Sequence, residues 1–149
     1  MPSEIVRRSY STHPELDRRF DGLVSTFNRT REHRDRLEPS LMFAALVLYA
    51  EVHPQEFATM ATTFTASPYC RKTNEFQVVR RGLSIRREVD GALERLRKLG
   101  KKESLLDYSD VYGALLLWSN GQPIRMNNAL AVYESFLSRL GRPKKLVLQ

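Results

Sequence analysis

The chain has 149 residues, 42% of them apolar and 28% charged, and a formal charge of +7. That apolar content supports a buried core and excludes disorder throughout, while the one cysteine, Cys70, excludes an internal disulfide and a cysteine metal cage. The longest apolar run, residues 41–50, is about half of the roughly 20 residues that span a bilayer, and the first residues lack the apolar stretch of an export signal, so a cytoplasmic protein without membrane contact is expected.

Taken in chain order, Thr12-His13-Pro14-Glu15 has the form of a capping box with Thr12 as the cap, and predicts a helix start. Leu16, Phe20, Leu23, Val24 and Phe27 continue it as one apolar stripe, and the charged run 29–38 is expected as its exposed last turns. Glu38-Pro39-Ser40 breaks that helix and starts another, apolar almost all round, over residues 41–52; Pro54 is expected to close it. A short helix at 55–61 and a Thr/Ser/Pro-rich connector at 62–73 follow.

The period then changes. Residues 74–85 hold Phe76, Val78, Val79, Leu83 and Ile85 among polar neighbours, which predicts a short strand. A helix follows, with Val89, Leu93, Leu96 and Leu99 on one face and a stop at Gly100. The next helix, capped by Asp107 or Ser109, carries Val111, Ala114, Leu115 and Trp118. A last helix over about residues 124–140 leads to a basic tail with Arg142, Lys144 and Lys145. No internal repeat is expected.

Charge is unevenly placed. Residues 71–102 hold eleven Lys and Arg against four Asp and Glu, and the remaining thirteen of each sign cancel, so the whole positive excess lies in this stretch. A local excess of this kind attracts polyanions, because neutralising phosphates releases condensed counterions.

A strand, a helix, a brief link and a second helix within this region resemble the ribbon-helix-helix family of DNA readers. The resemblance is carried by Arg80-Arg81-Gly82-Leu83-Ser84-Ile85, by Val89-Asp90-Gly91-Ala92-Leu93-Glu94-Arg95-Leu96 and by Tyr108-Ser109-Asp110-Val111-Tyr112-Gly113-Ala114-Leu115. It implies a mainly α fold with one short β-strand, in which two copies pair their strands into a ribbon that enters the major groove. The implied organisation is an N-terminal helical extension (1–70), a DNA-binding module (74–120) and a C-terminal helix with a basic tail (121–149). The implied activity is transcriptional regulation on double-stranded DNA by a homodimer, with the extensions enlarging the dimer interface or recruiting a partner such as the transcription machinery.

Two strand registers fit the sequence. If Leu83 and Ile85 face the core, Val78, Arg80, Gly82 and Ser84 face the DNA; in the other register Gln77, Val79 and Arg81 do. The first is favoured by continuity with Val89 and Leu93, with Arg80 suited to guanine and Ser84 to a base edge or phosphate. Gly82 is expected to mark a bulge. Lys101 and Lys102 in the link and Ser109 at a helix start are candidate phosphate contacts.

Catalysis is not expected. His13, His33 and His53 are dispersed, Cys70 has no neighbouring histidine, and no Gly-rich phosphate loop or nucleophile motif occurs, so neither cofactor nor metal is implied. Tyr112, Trp118 and Phe136 are expected in the core. The rival reading is an all-helical protein-interaction module, an adaptor or inhibitor carried by a mobile element or phage, whose basic stretch grips an acidic protein and in which helix would continue through residues 76–85.

Overall fold

Along residues 5–12 the side chains alternate in burial, with Val6, Arg8, Tyr10 and Thr12 turned inward and Ile5, Arg7 and Ser9 outward, the period of a strand covered on one face. The computed structural model describes residues 4–72, 74–105 and 107–140. This first strand, β1 (Ile5–Thr12), pairs antiparallel with β2 (Val79–Arg86), and Ser9 lies opposite Gly82 at the centre. The strand expected at 74–85 therefore exists with a later start, but its partner comes from the same chain and not from a second copy. Among the described residues there are two strands, not one. The resemblance implies that a second copy supplies the partner strand, without which the N–H and C=O groups of β2 would stay unpaired; β1 supplies it from the same chain.

The rest is helical: α1 (Pro14–Asn28), α2 (Pro39–Val52), α3 (Pro54–Thr65), α4 (Arg87–Gly100), α5 (Tyr108–Ser119) and α6 (Pro123–Arg139). Thr12 ends the strand, so the cap of α1 is His13, whose Nδ1 accepts the Glu15 N–H at 3.0 Å. Helix α1 stops at Asn28 because the buried Asn28 amide binds the Leu37 N–H at 2.7 Å and the Leu37 carbonyl at 2.9 Å, closing a loop. The charged run after Asn28 is that loop, with a 3-10 turn at His33–Asp35, and not the end of a helix. Pro54 takes the first position of α3, where its missing N–H is harmless, and Asp107 caps α5 in a reciprocal box with Asp110. The basic tail lies outside the described residues.

The order of elements is β-α-α-α twice, and the two halves match. Val6-Arg7-Arg8 and Ser11 correspond to Val79-Arg80-Arg81 and Ser84. Ser40, Phe43, Ala45, Leu46 and Tyr49 of α2 correspond to Ser109, Tyr112, Ala114, Leu115 and Trp118 of α5. Pro54, Phe57 and Phe64 of α3 correspond to Pro123, Met126 and Tyr133 of α6. The expectation of no internal repeat is corrected by this correspondence. Residues 1–70, expected as an extension, supply one of the two ribbon strands and three of the core helices.

The halves are interlocked. Helix α2 packs on β2 and α4, α5 packs on β1 and α1, α3 packs mainly on α5, and α6 packs mainly on α2. Every one of these contacts joins one half to the other. The polar contacts obey the same exchange: Arg8 binds Asp90 through Nε at 2.7 Å and Nη2 at 3.0 Å, and Arg81 binds Asp17 through Nε at 3.0 Å and Nη2 at 3.2 Å. On the free edges of the ribbon the Ser11 N–H donates to Ser109 Oγ at 2.9 Å and the Ser84 N–H to Ser40 Oγ at 3.0 Å. A pseudo-two-fold axis through the Ser9–Gly82 pair relates each contact to its counterpart. Near it, Tyr10 stacks on Tyr112 at 4.7 Å and Phe43 meets both rings at 5.3 and 5.1 Å, while Tyr49 meets Trp118 at 5.3 Å.

The equivalence of the two edge hydroxyls predicts equal losses. Ser40→Ala and Ser109→Ala should each lower the unfolding free energy by about 1 kcal/mol, since each leaves a strand N–H without its acceptor, and urea denaturation measures it.

The hydroxyls of Tyr10 and Tyr112 are buried with no hydrogen-bond partner, and burial pushes both phenols above their usual range. A raised folded-state value means that the neutral phenols contribute full stability below the unfolded value of about 10, and that this is lost as pH climbs past it. Alkaline titration followed by ultraviolet absorbance and circular dichroism should show these two phenolates forming only as helix is lost; their ionisation in an intact fold would contradict the packing.

Candidate nucleic-acid interface

Pairing in register divides the ribbon into two faces. Val6, Arg8, Tyr10 and Thr12 on β1 and Val79, Arg81, Leu83 and Ile85 on β2 face the helices; Ile5, Arg7, Ser9, Ser11, Arg80, Gly82, Ser84 and Arg86 face away from them. The register with Leu83 and Ile85 inward is the one adopted, and both are 3% exposed. The outward face contains three arginines and no acidic residue, and between Arg7 and Arg80 only serines and a glycine intervene.

Arg7 and Arg80 occupy equivalent places in the two halves. Arg7 reaches across the ribbon, its Nη1 donating to Ser84 Oγ at 3.2 Å. It passes over Gly82, where a Cβ would meet its Nη2 at 2.5 Å, so the glycine leaves room for the guanidinium to lie flat. The Arg80 side chain is exposed and makes no hydrogen bond or ion pair among the described residues. Pairing runs unbroken through Gly82, so the expected bulge is not formed.

The inward arginines do something else. Arg81, one of the sequence candidates, sits beneath the ribbon between Asp17 and Asp21, with Nη2 2.6 Å from Asp21 Oδ2. Burial opposes its charge, yet the hydrogen bond to Asp21 and the two carboxylate charges hold its proton more tightly than usual. Arg8 is held likewise by its hydrogen bond to Asp90, which outweighs desolvation, and its guanidinium lies 4.0 Å from the centre of the Tyr108 ring. These two residues brace the ribbon and are not available to a ligand on the outer face.

The other candidates are dispersed. Gln77 is exposed and Val78 half-buried, both just before β2. Ser109 spends its hydroxyl oxygen on the Ser11 N–H, and the Asp110 N–H at the same helix start is taken by Asp107 Oδ1 at 2.8 Å. Asp110 is itself buried and pairs with Lys72 at 3.3 Å. Lys101 and Lys102 are exposed in a 3-10 turn that packs against α3 and α4. Arg29, Arg34 and Arg36, exposed in the loop that leads into α2, hold the matching place in the first half. Tyr112, Trp118 and Phe136 are buried in the core, as expected.

Arg7, Ser9 and Ser11 were missed in the sequence, and so was Arg86. The signal that finds them is the recurrence of Val-Arg-Arg-x-x-Ser at residues 6–11 and 79–84. Among the described residues no group of three or more His, Cys, Asp and Glu side chains is placed to hold a metal. Comparison of the chain with protein-family models, with curated proteins and with solved structures returns no match.

The two adjacent arginines of β2 should separate cleanly. Arg81→Ala should lower stability by about 2–4 kcal/mol, because it leaves Asp17 and Asp21 facing each other without their cation, whereas Arg80→Ala should stay within about 0.5 kcal/mol of the parent. Thermal or urea unfolding of both variants measures the difference.

Proposed function

We propose that this protein reads double-stranded DNA by laying the outward face of its ribbon in the major groove. One observation carries the reading: an exposed, acid-free two-stranded ribbon presents Arg7 and Arg80 at equivalent positions on either side of a centre made of Ser9 and Gly82. A two-stranded ribbon fits the width of the major groove, and arginine pairs with guanine O6 and N7 through two parallel hydrogen bonds. Small residues between the arginines allow the backbone to approach the base edges closely.

The resemblance of residues 74–120 to ribbon-helix-helix readers supports the same reading, and the first half repeats the order of those elements, β1-α1-α2 against β2-α4-α5. In that family two copies contribute one strand each; here a single chain carries both. The pseudo-two-fold axis then implies a site with two related half-sites, the Arg7 half and the Arg80 half. Phosphates flanking the groove are met by the loops that enter α2 and α5, through Arg29, Arg34, Arg36, Lys101 and Lys102, which position the duplex without specifying it. The biological role that follows is transcriptional regulation or control of a mobile element. The alternative of an all-helical interaction module expected helix through residues 76–85, where β2 stands instead.

Binding to mixed-sequence duplex should be readily measured at low salt and should weaken steeply as salt rises. Against a preferred site, Arg7→Ala and Arg80→Ala should each cost about 1–3 kcal/mol and relax the base preference at one position of one half-site, while Lys102→Ala should weaken all sequences alike. Failure to bind any duplex at low salt would overturn the reading.

A further inference from the structure

The pseudo-two-fold symmetry of the ribbon breaks down at its two ends. At one end Ile5 stands opposite Arg86 on the outward face. Ile5 is 62% exposed, and the Arg86 side chain makes no hydrogen bond or ion pair among the described residues. At the other end the counterparts of these two residues are Val78 and His13, and neither is free to act. The His13 ring packs against Tyr69 at 5.0 Å and Phe76 at 4.6 Å, both from the connector between the halves, and its Nδ1 is spent on the Glu15 N–H. Val78 is half-buried in the same segment. The connector therefore covers one end of the ribbon, and the end at Ile5, where that side chain is 62% exposed, is the open one.

We infer that the protein occupies DNA in one orientation only, and that Ile5 and Arg86 extend base reading beyond the related half-sites at the open end alone. The chemistry of this end is a branched apolar side chain beside an unpaired guanidinium. It fits a thymine, whose C5-methyl offers an apolar contact, next to a guanine, whose O6 and N7 accept from arginine. At the closed end, Tyr69, Phe76 and His13 are engaged with one another, and the connector's exposed Arg71 lines a pocket with Ser11, Asp107 and Asp110, so the outward face there offers no equivalent of the Ile5–Arg86 pair. The preferred site is then an imperfect inverted repeat, symmetric about its centre and longer at one edge. A protein with two identical half-surfaces binds such a site equally in both directions; this chain does not.

The inference rests on the DNA reading proposed above, and one experiment separates the two. The full chain is used to select binders from a pool of duplexes with a randomised core. The expected consensus has a two-fold related centre with base preference continuing at one edge only. Selection repeated with Ile5→Ala and with Arg86→Ala should lower the preference at that edge by about fivefold or more and leave the centre and the opposite edge unchanged. A consensus that extends equally at both edges, or an edge preference untouched by both substitutions, overturns the directional inference while the DNA reading stands. A pool from which no sequence is enriched overturns the DNA reading, and this inference with it.

Discussion

An arginine that points from a two-stranded ribbon into a helical core must meet a carboxylate there, because a charge out of water without a partner is strongly destabilising. Arg8 and Arg81 both point that way, and each finds its aspartate on the first helix of the opposite half. The register of the ribbon, the placement of α1 and α4 beneath it and the interlocking of the halves are all fixed by this exchange. A shift of one residue in the pairing would expose Leu83 and Ile85 and carry both arginines away from Asp17 and Asp90. The serine hydroxyls of α2 and α5 complete the frame by covering strand N–H groups on the two free edges, which also blunts the ribbon as a template for further strands.

The division of labour between neighbouring arginines follows from strand alternation alone. In each Val-Arg-Arg the first arginine faces solvent and the second the core. Electrostatic cost keeps the second in place, and the absence of acids on the outer face leaves the first available to an external anion. Fusion of the two halves in one chain has a further consequence. Two identical copies must present identical surfaces, whereas halves of one chain are free to diverge. Ser9 against Gly82, Ile5 against Val78 and Arg86 against His13 are places where the two halves differ.

Much of the second half was legible in the sequence. The strand before α4, the stripe of Val89, Leu93 and Leu96, the Asp107 cap and the inward set of Leu83 and Ile85 follow from period and capping chemistry, and the structure has them. The first half was obscured by its strand. In residues 5–12 the inward positions hold Val6, Arg8, Tyr10 and Thr12, so an arginine stands where apolar alternation calls for a hydrophobic side chain, and only its partner Asp90, distant in sequence, explains it. The repeat was hidden for a related reason. The loop before α2 is longer than the one before α5, so matching residues do not keep a constant separation, and identity survives mainly in Val-Arg-Arg-x-x-Ser and in the Ala-Leu pair of α2 and α5. The order of elements in the second half was legible while the source of its partner strand was not. Strand pairing is a long-range property that period and propensity do not report.

The interlocked fold and the two-faced ribbon both depend on β1 and β2 pairing within one chain. Isotope-filtered nuclear Overhauser spectroscopy on an equal mixture of fully labelled and unlabelled protein tests this directly, by asking whether contacts between Arg7 and Ser84, Ser9 and Gly82, and Ser11 and Arg80 arise within a molecule or between molecules. The account predicts all three within a single labelled chain and none between labelled and unlabelled chains; cross-strand contacts between the two populations would contradict it.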